Sequence, residues 1–298
     1  MNRVLISGAS GPIGAALVPS LKPAGMEVVR LVRGPARNAG QISWEPMGEL
    51  APSAVSGFGA VIHLAGESVV GRWTQAKKNA IRESRVQGTR SVATALARTE
   101  GKPRVFVCAS AIGFYGDRGD EVLTEESASG SGFLPEVCLE WEEASRICAG
   151  AGIRTVNVRI GLVLSAQGGA LAKMLPIFKL GLGGRLGSGR QWWSWIHVDD
   201  IVGAIHHAVR TESVAGAVNL VAPNAVRNEE FTKVLGSVLR RPALFPVPGF
   251  ALRVAFGRTA ANELFLSSQR VTPAKLNSTG YTFRFADLKA ALIDLVGD

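Results

Sequence analysis

Residues 4–17 read VLISGASGPIGAAL, and this stretch decides the fold. Val4, Leu5 and Ile6 have the apolar run of a buried strand. Gly8, Gly11 and Gly14 then fall three apart, and an apolar helix starts among them. A strand, a Gly-x-x-Gly-x-x-Gly turn and a helix together form a phosphate-binding arrangement. Gly8 allows the tight turn, Gly11 lets backbone approach a diphosphate with no Cβ in the way, and Gly14 permits close packing of the helix. Pro12 suits a first-turn position whose N–H has no intrahelical partner. The free amides of the turn, with Ser10 and Ile13 among its residues, and the positive end of the helix dipole would face the anion. The expected ligand is a dinucleotide.

The next strand decides which dinucleotide. An acidic residue at its end would hold a ribose 2′-hydroxyl. The chain reads VVRLVRG at 28–34, with Arg33 where the acid would stand. A guanidinium pairs with a 2′-phosphate that a carboxylate would repel, so NADP(H) is expected over NAD(H). Arg30 and Arg37 are alternative partners for that phosphate.

Further along, apolar runs at 60–65, 105–110 and 155–160 are rich in Val and Ile without strict alternation, as in strands buried on both faces. Helical spacing separates them at 74–98 and 135–149. Repeated βα units predict an α/β fold, a doubly wound parallel sheet of Rossmann type. Later segments predict a helix over 199–210, a strand over 217–221 and a helix over 228–239. GLGGRLGSGRQ (181–191), with five glycines, reads as a loop, and PALFPVPGF (242–250), with three prolines, as a linker. The expected division is a dinucleotide-binding domain over 1–241, its substrate-side segments mainly at 162–241, and a small C-terminal domain over 242–298. The segment around 270–283 reads as a docking strap.

The 298 residues are 47% hydrophobic and 19% charged, an ordinary globular composition. No apolar run reaches the ~18 residues of a membrane span, so a cytoplasmic protein without membrane partners is expected. Cys108, Cys138 and Cys148 lack metal-ligand spacing, and no metal is expected. The net charge of +9 is spread over scattered Lys and Arg with no block of five or six, which argues against nucleic acid and suits a small anionic metabolite.

Together, GASGPIG (8–14), VIHLAG (61–66), SAIGFYG (110–116) and WIHVDDI (195–201) resemble the extended short-chain dehydrogenase/reductase, or epimerase/dehydratase, superfamily. HLAGESVVGRWTQAKKNAIRESRVQGTR (63–90) and FGRTAANELFLSSQRVTPAKL (256–276) resemble one atypical, epimerase-like branch with a distinctive short C-terminal domain. The resemblance implies that Leu64, Ala65 and Gly66 line the cofactor's adenosine and pyrophosphate side and that Arg85 helps hold it. His63 reads as a packed strand residue.

Active members of that superfamily use a Tyr-x-x-x-Lys pair, in which the Lys lowers the Tyr pKa for proton exchange. Here Leu134 falls at the Tyr position and Cys138 at the Lys position. Ser110 takes the first strand hydroxyl, and Ala111 stands where the substrate-orienting Ser or Thr is usual. Tyr115 has no Lys four residues on, and Tyr281 lies in the tail. The remaining candidates for proton transfer are Ser110, Tyr115 and Asp117, with Glu140 as a solvated-face alternative. Trp192, Trp193 and Trp195 either stack on a substrate ring or seal core, and Arg185 and Arg190 would grip an anionic group. Two functions fit: an NADP(H)-dependent oxidoreductase or epimerase with a non-standard acid/base, or a cofactor-binding sensor without turnover.

Overall fold

The computed structural model describes residues 3–23 and 25–297. Seven parallel strands form the central sheet: β1 (Arg3–Ser7), β2 (Glu27–Val32), β3 (Gln41–Ser43), β4 (Ala60–His63), β5 (Val105–Ala111), β6 (Arg154–Ile160) and β7 (Gly216–Leu220). Their spatial order is β7-β6-β5-β4-β1-β2-β3. The chain therefore reverses its winding at β1 and β4, and the crevice where ligands bind in such sheets opens at their carboxyl ends.

Both sheet faces are buried, so residues of opposite parity within one strand enter different cores. Val4 and Ile6 pack with α1 (Pro12–Leu21) and α5 (Val198–Arg210). Leu5, between them, packs with α2 (Gln75–Arg98), α3 (Phe133–Gly150) and Trp44. Each such side chain, fully removed from water, contributes roughly 1.5–3 kcal/mol. The helices start where side chains can accept from their free amides: Thr74 Oγ1 caps α2 from Lys77 N–H at 3.2 Å, and His197 Nδ1 caps α5 from Asp199 N–H at 3.1 Å.

The predicted 60–65 strand stops at His63 because the Ser7 hydroxyl accepts the Leu64 and Ala65 amides, at 3.2 and 3.3 Å, and turns the chain out of the sheet. The three-residue edge strand β3 has no periodicity to announce it. A third core, built on α4 (Gly169–Lys179), α6 (Asn228–Val238) and α8 (Leu288–Val296), holds the second half together.

The tail starts with α7 (Gly249–Phe256) and one further turn, and then forms a π-helical turn over Asn262–Leu266. Arg270–Val271 pairs in parallel with Val122–Leu123, so the tail crosses the large domain as a strap. Asp200, 1% exposed, pins the strap by accepting from Tyr281 O–H and from the Arg284 and Phe285 amides at 2.8–3.0 Å.

Candidate functional site

The β1–α1 turn is built so that backbone, not side chains, faces the crevice. Gly8 has φ +70°, and a Cβ there would lie 2.6 Å from the Leu64 carbonyl carbon. A Cβ on Gly14 would strike the Gly8 carbonyl and come within 2.6 Å of Ala9 Cα. At Gly11 an added Cβ meets only the Gly8 carbonyl oxygen at 3.4 Å, so this is the glycine with room in front of it. Pro12 opens α1, whose first turn has neither a side-chain cap nor an acidic residue. The first-turn amides of α1 are thus left for an anion. Ser10 is exposed, and Ile13 is half-buried beneath the turn. The loop before α4 crosses the same turn: a Cβ on Gly168 would sit 2.8 Å from the Pro12 ring.

The facing wall is the chain leaving β4. Leu64 and Ala65 are held by Ser7, and Gly66 lies against Arg85, whose guanidinium carbon is 3.4 Å from a Cβ built there. Arg85 donates to the Glu67 carbonyl at 2.9 Å and stacks over Trp141 at 5.0 Å. Burial pulls its pKa down, opposed by the nearby Cys138 and Glu67. Arg33 is exposed immediately after β2. A salt-bridged Lys77 lowers the Glu67 pKa, and Arg33 and Arg85 add to the effect, so three cations share this side of the crevice. Arg30 and Arg37 are exposed, Arg30 within β2 and Arg37 in the following loop.

His63 is fully buried. Its Nδ1 accepts from the Ser7 hydroxyl at 2.7 Å, and desolvation lowers its pKa to about 4, which keeps it neutral. It is a packed strand residue, between Trp44 and Phe106.

Beyond the end of β5 the candidate acid/base residues part company. Ser110 donates to Glu142 at 2.7 Å. Glu142 is gripped by Arg159 through Nε at 2.8 Å and Nη2 at 2.9 Å. Arg159 Nη1 donates to the Tyr115 hydroxyl at 3.0 Å, and that hydroxyl donates to Asn219 at 2.7 Å. Burial raises the Tyr115 pKa, with Arg159 opposing. Burial works against the Arg159 charge, but the hydrogen bonds and charge of Glu142 outweigh it. Ser110 and Tyr115 are thus committed to a buried network tying β5, β6 and β7 together. Sequence reading missed Glu142, Arg159 and Asn219. Glu140 forms an exposed pair with Arg82 at 3.6 Å.

Asp117 lies elsewhere, in the wall of a cleft of about 410 Å³ between the end of β5 and the tail. Gly113 and Leu134 line it side by side, since a Cβ built on Gly113 would lie 3.3 Å from Leu134 Cβ. Cys138 is next to them, 3.8 Å from the Ala111 carbonyl, its thiol pushed up to about 12 by burial. The π-helical turn supplies Asn262, Glu263 and Leu266, and α7 supplies Arg253. Glu263 accepts from the Phe133 and Leu134 amides at 3.0 and 2.7 Å, so the tail caps α3. Arg253 donates to Asn262 at 3.0 Å.

The tryptophan loop is not part of this lining, and its two open readings resolve towards packing. Trp195 is wholly buried, Trp193 packs on Phe231, and Trp192 lies under Arg227 and Arg270 and donates to Asp120 at 2.7 Å. Arg185 turns back onto the Ser188 carbonyl, and neither it nor Arg190 lines the cleft.

Residues 4–221 match the NAD dependent epimerase/dehydratase family. The chain belongs to that family. Residues 247–295 match a second family, a domain of unknown function designated DUF1731, which supplies the cleft wall described above. An epimerase family protein of Mycobacterium bovis is 40% identical to this epimerase-family chain over 97% of it and 96% of the relative. The human epimerase family protein SDR39U1 is 37% identical over 99% of both chains. A crystal structure of the human protein, isoform 2, with NADPH superposes with a TM-score of 0.91 at 34% identity over 98% of both chains. A nucleoside-diphosphate sugar epimerase from Corynebacterium glutamicum superposes with a TM-score of 0.82 at 39% identity, over 99% of this chain and 58% of that one. Among the described residues, no helix is long and apolar enough to cross a membrane.

Proposed function

We propose that the protein binds NADP(H) and uses it in an oxidoreductase or epimerase reaction on a small polar metabolite held in the cleft beside Gly113 and Leu134. One observation carries this reading: the wall that faces the uncapped, glycine-lined α1 N-terminus meets Arg85 at Gly66, and Arg85 stands near Cys138, which borders Gly113 in a cleft that the C-terminal segment also lines. The residues fit the dinucleotide. First-turn amides of α1 suit the diphosphate, Arg33 the 2′-phosphate, and Leu64, Ala65 and Gly66 leave room along the wall. When bound, the cofactor supplies or accepts a hydride. Arg85 stands near Cys138, where superfamily enzymes carry a Lys, and provides a buried cation at that corner. Arg253, not Arg185 or Arg190, is the cleft's cation for an anionic substrate group. Asp117 is the candidate acid/base there.

A sensor that binds the cofactor without turnover is favoured by a different observation, the commitment of Ser110 and Tyr115 to the buried network. Purified protein mixed with NADPH and a panel of carbonyl compounds and nucleotide sugars separates the two. The enzymatic reading expects oxidation of NADPH or epimerised product with at least one compound, lost in Asp117→Asn and reduced in Arg253→Ala. Tight NADPH binding with no conversion across the panel overturns it in favour of the sensor.

A further inference from the structure

Residues 169–190 and 231–262 hold nine of the chain's 33 lysines and arginines and none of its 24 aspartates and glutamates. They therefore carry its whole formal net charge of +9, and the remainder is balanced. The two segments are far apart in sequence but run side by side in the fold. Phe245 N–H donates to the Gly183 carbonyl at 3.1 Å, Val247 N–H to Arg185 at 2.8 Å, and Gly187 N–H to Val247 at 2.8 Å.

The same segments expose apolar side chains. Of the twelve large hydrophobic residues exposed among the described residues, seven lie here. Leu180 and Leu244 are 75% and 79% exposed, and Phe250 and Val254 are 68% and 71%. The pattern is helical and one-sided. On α4, Leu171, Leu175 and Phe178 are buried, while Lys173, Ile177 and Leu180 follow one another along the open face. On α7, Leu252 faces inward and Phe250 and Val254, four apart, face out. Arg72 adds a cation at that edge, donating to the Val254 carbonyl at 3.4 Å. Of the acids flanking the segments, Glu263 turns inward to cap α3 and Glu229 lies against Gly189, which leaves Glu230 as the exposed acid at the border.

We propose that this face docks on the surface of an anionic lipid bilayer. Exposed apolar side chains gathered in segments that run side by side mark an interaction surface. Interspersed with cations and free of acids, they match the boundary between anionic headgroups and acyl chains, where Lys and Arg reach the phosphates and Leu and Phe enter the apolar layer. A second copy of the chain is the poorer occupant, because a two-fold interface would set the same cations against each other. A nucleic acid backbone would meet the cations but offer nothing to the leucines and phenylalanines. Surface docking of this kind requires no spanning segment.

The test is co-sedimentation of the full chain with vesicles of phosphatidylcholine alone and of phosphatidylcholine mixed with phosphatidylglycerol, at low and high salt. Binding is expected to the mixed vesicles and not to the neutral ones, and to fall with salt. Lys179→Gln, Arg240→Gln and Arg241→Gln should each weaken it about fivefold, and Leu244→Asp with Phe250→Asp should abolish it. Ile293→Asp, at an exposed apolar residue outside both segments, should bind as the wild type does, and circular dichroism of every variant checks its fold. The proposal is overturned by equal binding to neutral vesicles or by no binding to either. It is also overturned by DNA binding that the Asp variants leave intact, or by a wild-type dimer that Leu244→Asp dissociates.

Discussion

Ser7 has one hydroxyl hydrogen and three polar neighbours. The Leu64 and Ala65 amides donate to its oxygen, so its hydrogen goes to His63 Nδ1. The His63 ring then carries its own hydrogen on Nε2, which is buried without a partner. A ring so placed resists a second proton, and its pKa falls from 6.5 to about 4 as a result of burial. The sign follows directly: between these values the unfolded chain takes up a proton that the folded chain refuses, so stability is full above pH 6.5 and is lost as pH falls towards 4. The loss attributable to His63 is about 3 kcal/mol. Urea unfolding at pH 7 and pH 4 should show it, and His63→Asn should remove that part of the pH dependence; an unchanged slope would show that His63 is not the group. The glycine spacing announced the turn from sequence, because only glycine meets its conformational demands. The network around Tyr115 was not legible, because Glu142, Arg159 and Asn219 read as ordinary polar residues until the fold brings them together.

The elements that build the crevice follow from local signals, while those that build the cleft do not. β1, α1, β2, β4 and α2 follow in that order along the chain, each with its own local pattern. The π-helical turn over Asn262–Leu266 and the capping of α3 by Glu263 depend on a contact between residues about 130 apart. Glu142 on α3 and Arg159 on β6, 17 residues apart, likewise meet only through the packing of helix on strand, as a buried pair whose side chains are 13% and 5% exposed. Removing one partner leaves the other charge uncompensated, so Arg159→Leu should destabilise the protein by about 3–5 kcal/mol. Glu142→Leu combined with Arg159→Leu should recover much of that loss. Urea midpoints for the single and double variants check this, and a double variant as unstable as the sum of the singles would contradict it.

For the whole molecule, the sequence conveyed the layered parallel sheet and the strap, but not the source of the cleft wall. Composition alone pointed to the Gly- and Trp-rich loop, of which Trp195 is wholly buried and Trp193 packs on Phe231, while Trp192 lies half-buried under Arg227 and Arg270. The basic residues are scattered along the chain, yet the excess of positive charge resides in two acid-free segments that the fold places together. The central claim is that backbone amides of the β1–α1 turn hold a dinucleotide diphosphate while Arg33 reads its 2′-phosphate. Calorimetric titration of NADPH and NADH into wild type and Arg33→Asp tests it most directly. The account predicts that NADPH binds the wild type more tightly than NADH does, and that the substitution weakens NADPH roughly ten- to a hundredfold, the value of a charge-assisted pair, with NADH little changed. No heat from either coenzyme, or an equal loss of both in the variant, would contradict it.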